Sequence, residues 1–192
     1  MLSIILNLSI VIAAIGAVYA HGRNNPISTV LRYFTVLSNL LCAIAAVAVV
    51  VGRLSGNIPE VVLILKYVGT CAVTVTLLTV LLFLGPTIGY KILVTGPDFW
   101  LHIFCPIIAI VSYIAFDKTD AGIWVVLLGM LPVIAYGFLY LNKVLREKTW
   151  DDFYGFNKGG RWKISFVAMM TGSFLISLVL WVFQRPPFHP GT

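Results

Sequence analysis

Leu31-Arg32-Tyr33-Phe34-Thr35-Val36-Leu37-Ser38-Asn39, residues 31–39, runs directly into the apolar stretch 40–51 and so sets polar side chains at the start of a membrane-length segment. Asn25-Pro26 just upstream is a helix start signal, with asparagine as the cap and proline in the first turn. One helix is therefore predicted over 26–51. On it Ser28, Arg32, Thr35 and Asn39 follow at steps of four, three and four and share a face, with Ser38 beside them. An arginine at mid-span costs roughly 2.5 to 3.5 kcal/mol on insertion scales, so this stripe is expected to face protein, water or the interface rather than lipid tails. That requires neighbouring helices, and it marks the stripe as the leading candidate site.

The rest of the chain supplies such neighbours. Its 192 residues are 60% hydrophobic and 10% charged, with a mean hydropathy of +1.00, which leaves too little polar surface to cover a soluble globule. The expected class is an all-α integral membrane protein, a bundle of six transmembrane helices in a single domain over 1–192. The formal charge of +6 reports topology in such a chain, and nucleic acid is not expected as a partner. Cys42, Cys71 and Cys105 each sit inside an apolar run with no Cys-x-x-Cys pair, and read as small packing residues.

The spans are placed at about 1–20, 26–51, 60–84, 97–116, 123–142 and 163–183. A cleavable signal peptide competes for the first, since Val18-Tyr19-Ala20 precedes His21 as a cleavage site would, but there is no basic n-region and the segment reads as retained. Residues 85–96 read as a loop with Gly-Pro at both ends, 143–162 as the one long charged connection, and 184–192 as a proline-rich tail. Thr70, Thr74, Thr76 and Thr79 in the third span are expected to bond their own helix backbone.

With six spans, connections 1-2, 3-4 and 5-6 share one face, while both termini and connections 2-3 and 4-5 share the other. The second and fourth spans then start at the same interface. At 1.5 Å per residue Thr35 lies about 13 Å from Pro26 and His102 about 8 Å from Pro97, roughly one turn apart in depth. His102 is the only histidine within a span. It reads either as an interfacial histidine bonding a carbonyl or as a base. Asp98, four residues earlier, is positioned to orient the imidazole, and Pro106, four residues later, deprives the His102 carbonyl of its helical partner and allows a kink. Thr35 likewise reads either as a residue bonding its own helix or as a reacting group.

Arg32-Tyr33-Phe34-Thr35 with Ser38-Asn39, then Trp100-Leu101-His102 with Pro106, resemble the androgen-induced, ADTRP-like family of six-span membrane hydrolases, including its compact bacterial members. The resemblance implies a membrane-embedded lipid esterase that cleaves fatty acid esters of hydroxy fatty acids with a threonine nucleophile and a histidine. Those roles fall on Thr35 and His102.

Acyl transfer from a weakly nucleophilic hydroxyl needs a base within hydrogen-bond reach and a donor for the oxyanion. His102 is the base. Asn39 and Arg32, with Ser38 nearby, are the candidates for the oxyanion or for positioning substrate, and Arg32 alternatively holds a substrate carboxylate. Asp98 supports His102 from behind. Phe34, Leu37, Phe99 and Phe104 are expected to receive the lipid tails, so the partners are membrane lipids and a lipid ester. No Gly-x-Ser-x-Gly is present, so an esterase here is of another kind. Neither cofactor nor metal is expected, His189 falling on the opposite face from His102. A transporter or channel and a non-catalytic lipid-binding protein remain the other classes. The shared 1-2, 3-4 and 5-6 face carries Arg23, Arg32, Lys91, Lys143, Arg146, Lys148, Lys158, Arg161 and Lys163, nine of 13 basic residues, against Arg53, Lys66, Lys118 and Arg185. The positive-inside rule makes it cytoplasmic, with both termini outside a bacterial cell membrane.

Overall fold

The computed structural model describes residues 1–184; the tail beyond Gln184, with Arg185 and His189, lies outside the described residues. Helices account for the fold, and no strand occurs among the described residues. Six are long and apolar enough to cross a membrane: α1 (Leu2–Asn24), α3 (Phe34–Leu54), α4 (Glu60–Ile88), α6 (Pro97–Phe116), α7 (Val125–Arg146) and α8 (Trp162–Gln184). Two short α-helices, α2 (Ile27–Val30) and α5 (Tyr90–Leu93), and a 3-10 turn, Lys158–Gly160, lie between them. The protein is thus an all-α, multi-pass membrane protein.

The centre of the bundle is α4, which packs against α3, α6, α7 and α8, while α1 packs against α3 and α6 on the outer side. The crossing of α3 and α4 is tight because Gly69 has no side chain: a Cβ there would meet the Cα of Cys42 at 2.9 Å. Small residues at such crossings let backbones approach where lipid gives no hydrophobic drive for association. Cys42, Cys71 and Cys105 are all buried and unpaired. Thr70 and Thr74 donate to carbonyls four residues back in their own helix, at 2.8 and 2.7 Å.

Two prolines shape the helices around the site. A proline lacks the N–H for the carbonyl four residues earlier and its ring crowds it, so the preceding turn widens. Val80–Leu84 before Pro86 and Trp100–Phe104 before Pro106 are both π-helical turns, closed by Gly85 N–H to Val80 O and Cys105 N–H to Trp100 O. The stretch expected to be a loop over 85–96 is instead largely helical: α4 continues to Ile88 and α5 follows. Gly89 (φ 95°) and Gly96 (φ 57°) make the reversals on either side of α5, in backbone conformations a Cβ disfavours.

The single helix expected over 26–51 is broken. The chain leaves α2 at Leu31 and restarts at Phe34, with Tyr33 extended at φ −84°, ψ 130°. Nothing in the local sequence demands this, since residues 31–33 hold neither glycine nor proline. The cause is tertiary: Tyr136 of α7 donates to the Arg32 carbonyl at 2.6 Å, and Phe34 N–H donates to the hydroxyl of Tyr154, in the connection between α7 and α8, at 2.9 Å. A continuous helix would need both backbone groups internally. Ser28 therefore lies exposed on a different helix and does not share a face with Thr35.

At the far end of the bundle three helices converge on one carboxylate. Asp117, just past α6, accepts from Ser3 (2.8 Å) and Arg53 (3.2 Å) on Oδ1 and from Asn7 (2.8 Å) and Ser112 (2.6 Å) on Oδ2. Lys66 is fully buried beside it and donates to Asn7 Oδ1 at 2.6 Å.

Candidate active site

The break before α3 changes what Thr35 is. It is the second residue of a 21-residue helix, so its N–H belongs to the turn that has no intrahelical acceptor, where the helix dipole favours negative charge. Its carbonyl is pinned by Ser38 Oγ (3.1 Å) and Asn39 Nδ2 (2.7 Å), and Ser38 also shares a 2.9 Å hydrogen bond with Thr76 of α4.

His102 reaches Thr35 from the π turn of α6, with Nε2 3.3 Å from Thr35 Oγ1. Its other nitrogen, Nδ1, is 2.5 Å from the carbonyl of Leu93 at the end of α5. A carbonyl only accepts, so Nδ1 carries the proton, Nε2 presents its lone pair, and the Thr35 hydroxyl donates to it. The separation is slightly beyond the roughly 2.6 to 3.2 Å of a working base, as is common before substrate tightens the site.

The π turn also accounts for Asn39. Because Cys105 N–H bonds Trp100 O, the Leu101 carbonyl loses its usual partner, and Asn39 Nδ2 supplies one at 3.0 Å. Asn39 is fully buried, and both of its contacts fix backbone, one on each side of the Thr35–His102 pair. It is a strut between α3 and α6, with no donor left for an oxyanion. Arg32 is not at the pair either. Its carbonyl is held by Tyr136, and its guanidinium lies 6.0 Å from the ring centre of Trp150. Asp98 does not orient the imidazole: the Leu93 carbonyl does, and Asp98 Oδ1 lies 3.2 Å from Nε2 of His21 at the end of α1. Asp98 and His102 nonetheless line the same cavity.

Tyr154 is the side chain at Thr35 that the sequence did not single out as a site residue. The connection between α7 and α8 folds back into the bundle, with Tyr140 donating to Asp152 Oδ1 at 2.7 Å and Tyr154 N–H donating to Tyr140 Oη at 3.2 Å. Phe153, Tyr154 and Phe156 all pack on Tyr140. Burial pushes the Tyr154 phenol up to about 12, against hydrogen bonding from Phe34, Tyr136 and Thr35. It stays protonated at neutral pH, accepting from Phe34 N–H and adjoining Thr35. The aromatic run Trp150-Asp151-Asp152-Phe153-Tyr154 was the available signal, since a purely solvated connection has no use for such bulk.

Two cavities meet at Thr35. One, of about 360 Å³, is polar on one side, where His21, Asp98 and His102 line it, and apolar where Ile88 and Leu93 do. The other is a narrow slot of about 50 Å³ between α4, α7 and α8, walled by Val80, Val133, Gly137, Phe166 and Met170. Of the residues expected to receive lipid tails, Phe34 lines the slot and Leu37 packs in the adjoining core. Phe104 faces a separate groove against α1, and Phe99 is half-exposed with its edge on Trp100. No protein-family model, no curated protein and no solved structure matches the chain.

Proposed function

We propose that the protein is a membrane-embedded lipid ester hydrolase with Thr35 as nucleophile and His102 as base, acting on fatty acid esters of hydroxy fatty acids or similar lipid esters, as the resemblance to the ADTRP-like hydrolases implies. The observation that carries this reading is the hydroxyl of Thr35 donating to a histidine whose tautomer is fixed from behind by the Leu93 carbonyl. Thr35, second in α3, has no carbonyl of that helix four residues behind it to bond, as Thr70 and Thr74 have in α4, and its hydroxyl meets the imidazole instead.

In the proposed reaction Thr35 Oγ1 attacks the ester carbonyl while its proton passes to His102 Nε2. The carbonyl oxygen takes up the negative charge, and the donors we assign to it are the Thr35 N–H at the start of α3 and the Tyr154 hydroxyl. Collapse breaks the bond to the alcohol oxygen, which takes the proton from Nε2 and leaves an acyl-threonine. Water then gives a proton to Nε2 and attacks the acyl carbon, and the second collapse returns the proton to Thr35 Oγ1 and frees the acid. Substrate reaches the site already concentrated by partition into the bilayer.

The test is turnover of a fatty acid ester of a hydroxy fatty acid by detergent-purified protein, together with labelling by a fluorophosphonate, which phosphonylates Thr35 Oγ1 with loss of fluoride. Both are expected in the parent and absent in Thr35→Ala. Equal turnover by the two proteins overturns the assignment.

The proposed orientation places both termini outside a bacterial cell membrane and the Thr35–His102 end at the cytoplasmic leaflet. Lys66, counted among the few basic residues of the outer face, is buried against Asn7 and drops out of that count. A cysteine in place of exposed Ser55 is expected to react with an impermeant reagent in intact cells, and reaction only after permeabilisation reverses the orientation.

A further inference from the structure

Thr35, Leu84 and Tyr154 line both cavities, so the Thr35 hydroxyl stands in the wall between them, whereas His102 lines only the larger one. That asymmetry has chemical consequences. The departing alcohol and the attacking water both exchange protons with Nε2, so both occupy the side of Thr35 from which the imidazole is reached. The acyl group stays bonded to Thr35 during that exchange and must lie where it does not obstruct it. We propose, resting on the esterase reading above, that the site is divided: the acyl chain lies in the slot between α4, α7 and α8, and the alcohol portion lies in the cavity lined by His21, Asp98 and His102.

The linings fit this division. Apart from Thr35, Thr76, Thr79, Ser165 and three tyrosine hydroxyls, the slot presents aliphatic, aromatic and thioether side chains, while the larger cavity brings two imidazoles and a carboxylate to the polar end of the substrate. Along α7 the slot extends from Tyr140 to Val133, about two turns or roughly 10 Å, and at about 50 Å³ its walls must part to admit more than a short chain. Gly137 sets its width. A Cβ there would stand 3.1 Å from Phe166 and 3.9 Å from the end of Met170, so a larger residue must intrude into the slot.

The experiment measures kcat/KM of the detergent-purified full chain on p-nitrophenyl esters from acetyl to palmitoyl. Gly137→Val is expected to lower the ratio of long-chain to acetyl turnover at least about tenfold, because a hydrophobic pocket discriminates by about that much for each methylene it loses or gains. Met170→Ala is expected to move the optimum toward longer chains. A second measurement does not depend on turnover: a fatty acid carrying a terminal diazirine, photolysed with Thr35→Ala protein, is expected to crosslink around Met169 and Met170. If Thr35-dependent hydrolysis persists with an unmoved profile in the variants that fold, and crosslinks fall elsewhere, the division is overturned while the esterase reading stands. Crosslinks in the slot without Thr35-dependent hydrolysis of any ester overturn the esterase reading and, with it, the division at Thr35.

Discussion

The Nδ1 of His102 lies 2.5 Å from the carbonyl oxygen of Leu93, and this contact decides how the Thr35 hydroxyl must point. With Nδ1 protonated, Nε2 is an acceptor, and in the proposed reaction threonine and histidine act as one proton-transfer unit. Groups that act as a unit are strongly non-additive when removed. Thr35→Ala, His102→Ala and the double variant are therefore expected to fall to a similar residual rate, within about tenfold of one another, on an ester substrate. Thr35→Ser keeps the hydroxyl and is expected to retain part of the activity. Stepwise, multiplicative losses on combining the two variants would separate the residues.

Tyr154 is expected to act on the rate of the chemical step. Removing one donor from an oxyanion site costs about 10² to 10³ in kcat. Tyr154→Phe is expected to show a loss of that order with KM changed little. The variant also leaves Phe34 N–H without its acceptor, worth about 1 to 3 kcal/mol of stability, so the protein is compared below its own unfolding temperature. A variant that loses stability but keeps kcat would make Tyr154 a support for the break before α3 and nothing more.

The number and approximate place of the spans were legible because membrane length and hydropathy are local properties, as were an irregularity of the helix before Pro106 and the depth match of Thr35 with His102. What the sequence concealed were contacts whose two ends lie far apart in the chain. The break at 31–33 is made by hydroxyls of Tyr136 and Tyr154, 104 and 120 residues away. The i,i+4 spacing of Asp98 and His102 was a sound local argument, but the carbonyl of Leu93 and the imidazole of His21 compete for those two side chains and hold them instead. Asn39 looked like a free donor only because the carbonyl released at Leu101 is a product of the π turn, which spacing does not reveal.

Asn39 gives a prediction that separates positioning from chemistry. Its amide is fully buried and spans Thr35 O and Leu101 O. Asn39→Leu leaves the Leu101 carbonyl without its donor, while Thr35 O keeps Ser38 Oγ, and is expected to cost about 1 to 3 kcal/mol of stability. Because the strut sets the spacing of α3 and α6, activity is expected to fall as well. Fluorophosphonate labelling of Thr35 is expected to slow yet remain detectable, unlike the complete loss in Thr35→Ala. Undiminished stability in Asn39→Leu would refute the strut.

The last prediction concerns the opposite end of the bundle, where Asp117 ties α1, the end of α3 and α6 together while Lys66 of α4 joins through Asn7. Burial pushes the Asp117 carboxyl up, but hydrogen bonds from Ser112, Asn7 and Ser3 together with the Lys66 charge hold it below the usual carboxylate range. A carboxyl depressed in the folded state stabilises the fold fully above its unfolded value of about 3.9, and that contribution disappears as pH falls through the lower folded value. Asp117→Asn removes the charge opposite Lys66 and Arg53 and sets an amide N–H₂ among groups that already donate. Breaking one partner of such a buried set costs about 3 to 5 kcal/mol. The variant is expected to inactivate faster than the parent at neutral pH, and the gap between them is expected to narrow as pH drops below about 4. The measurement is the half-life of monodisperse protein in detergent at fixed temperature across that range, since unfolding of such a protein is a matter of rate. A gap that stays constant with pH would mean that the ionised carboxylate is not what holds these helices together.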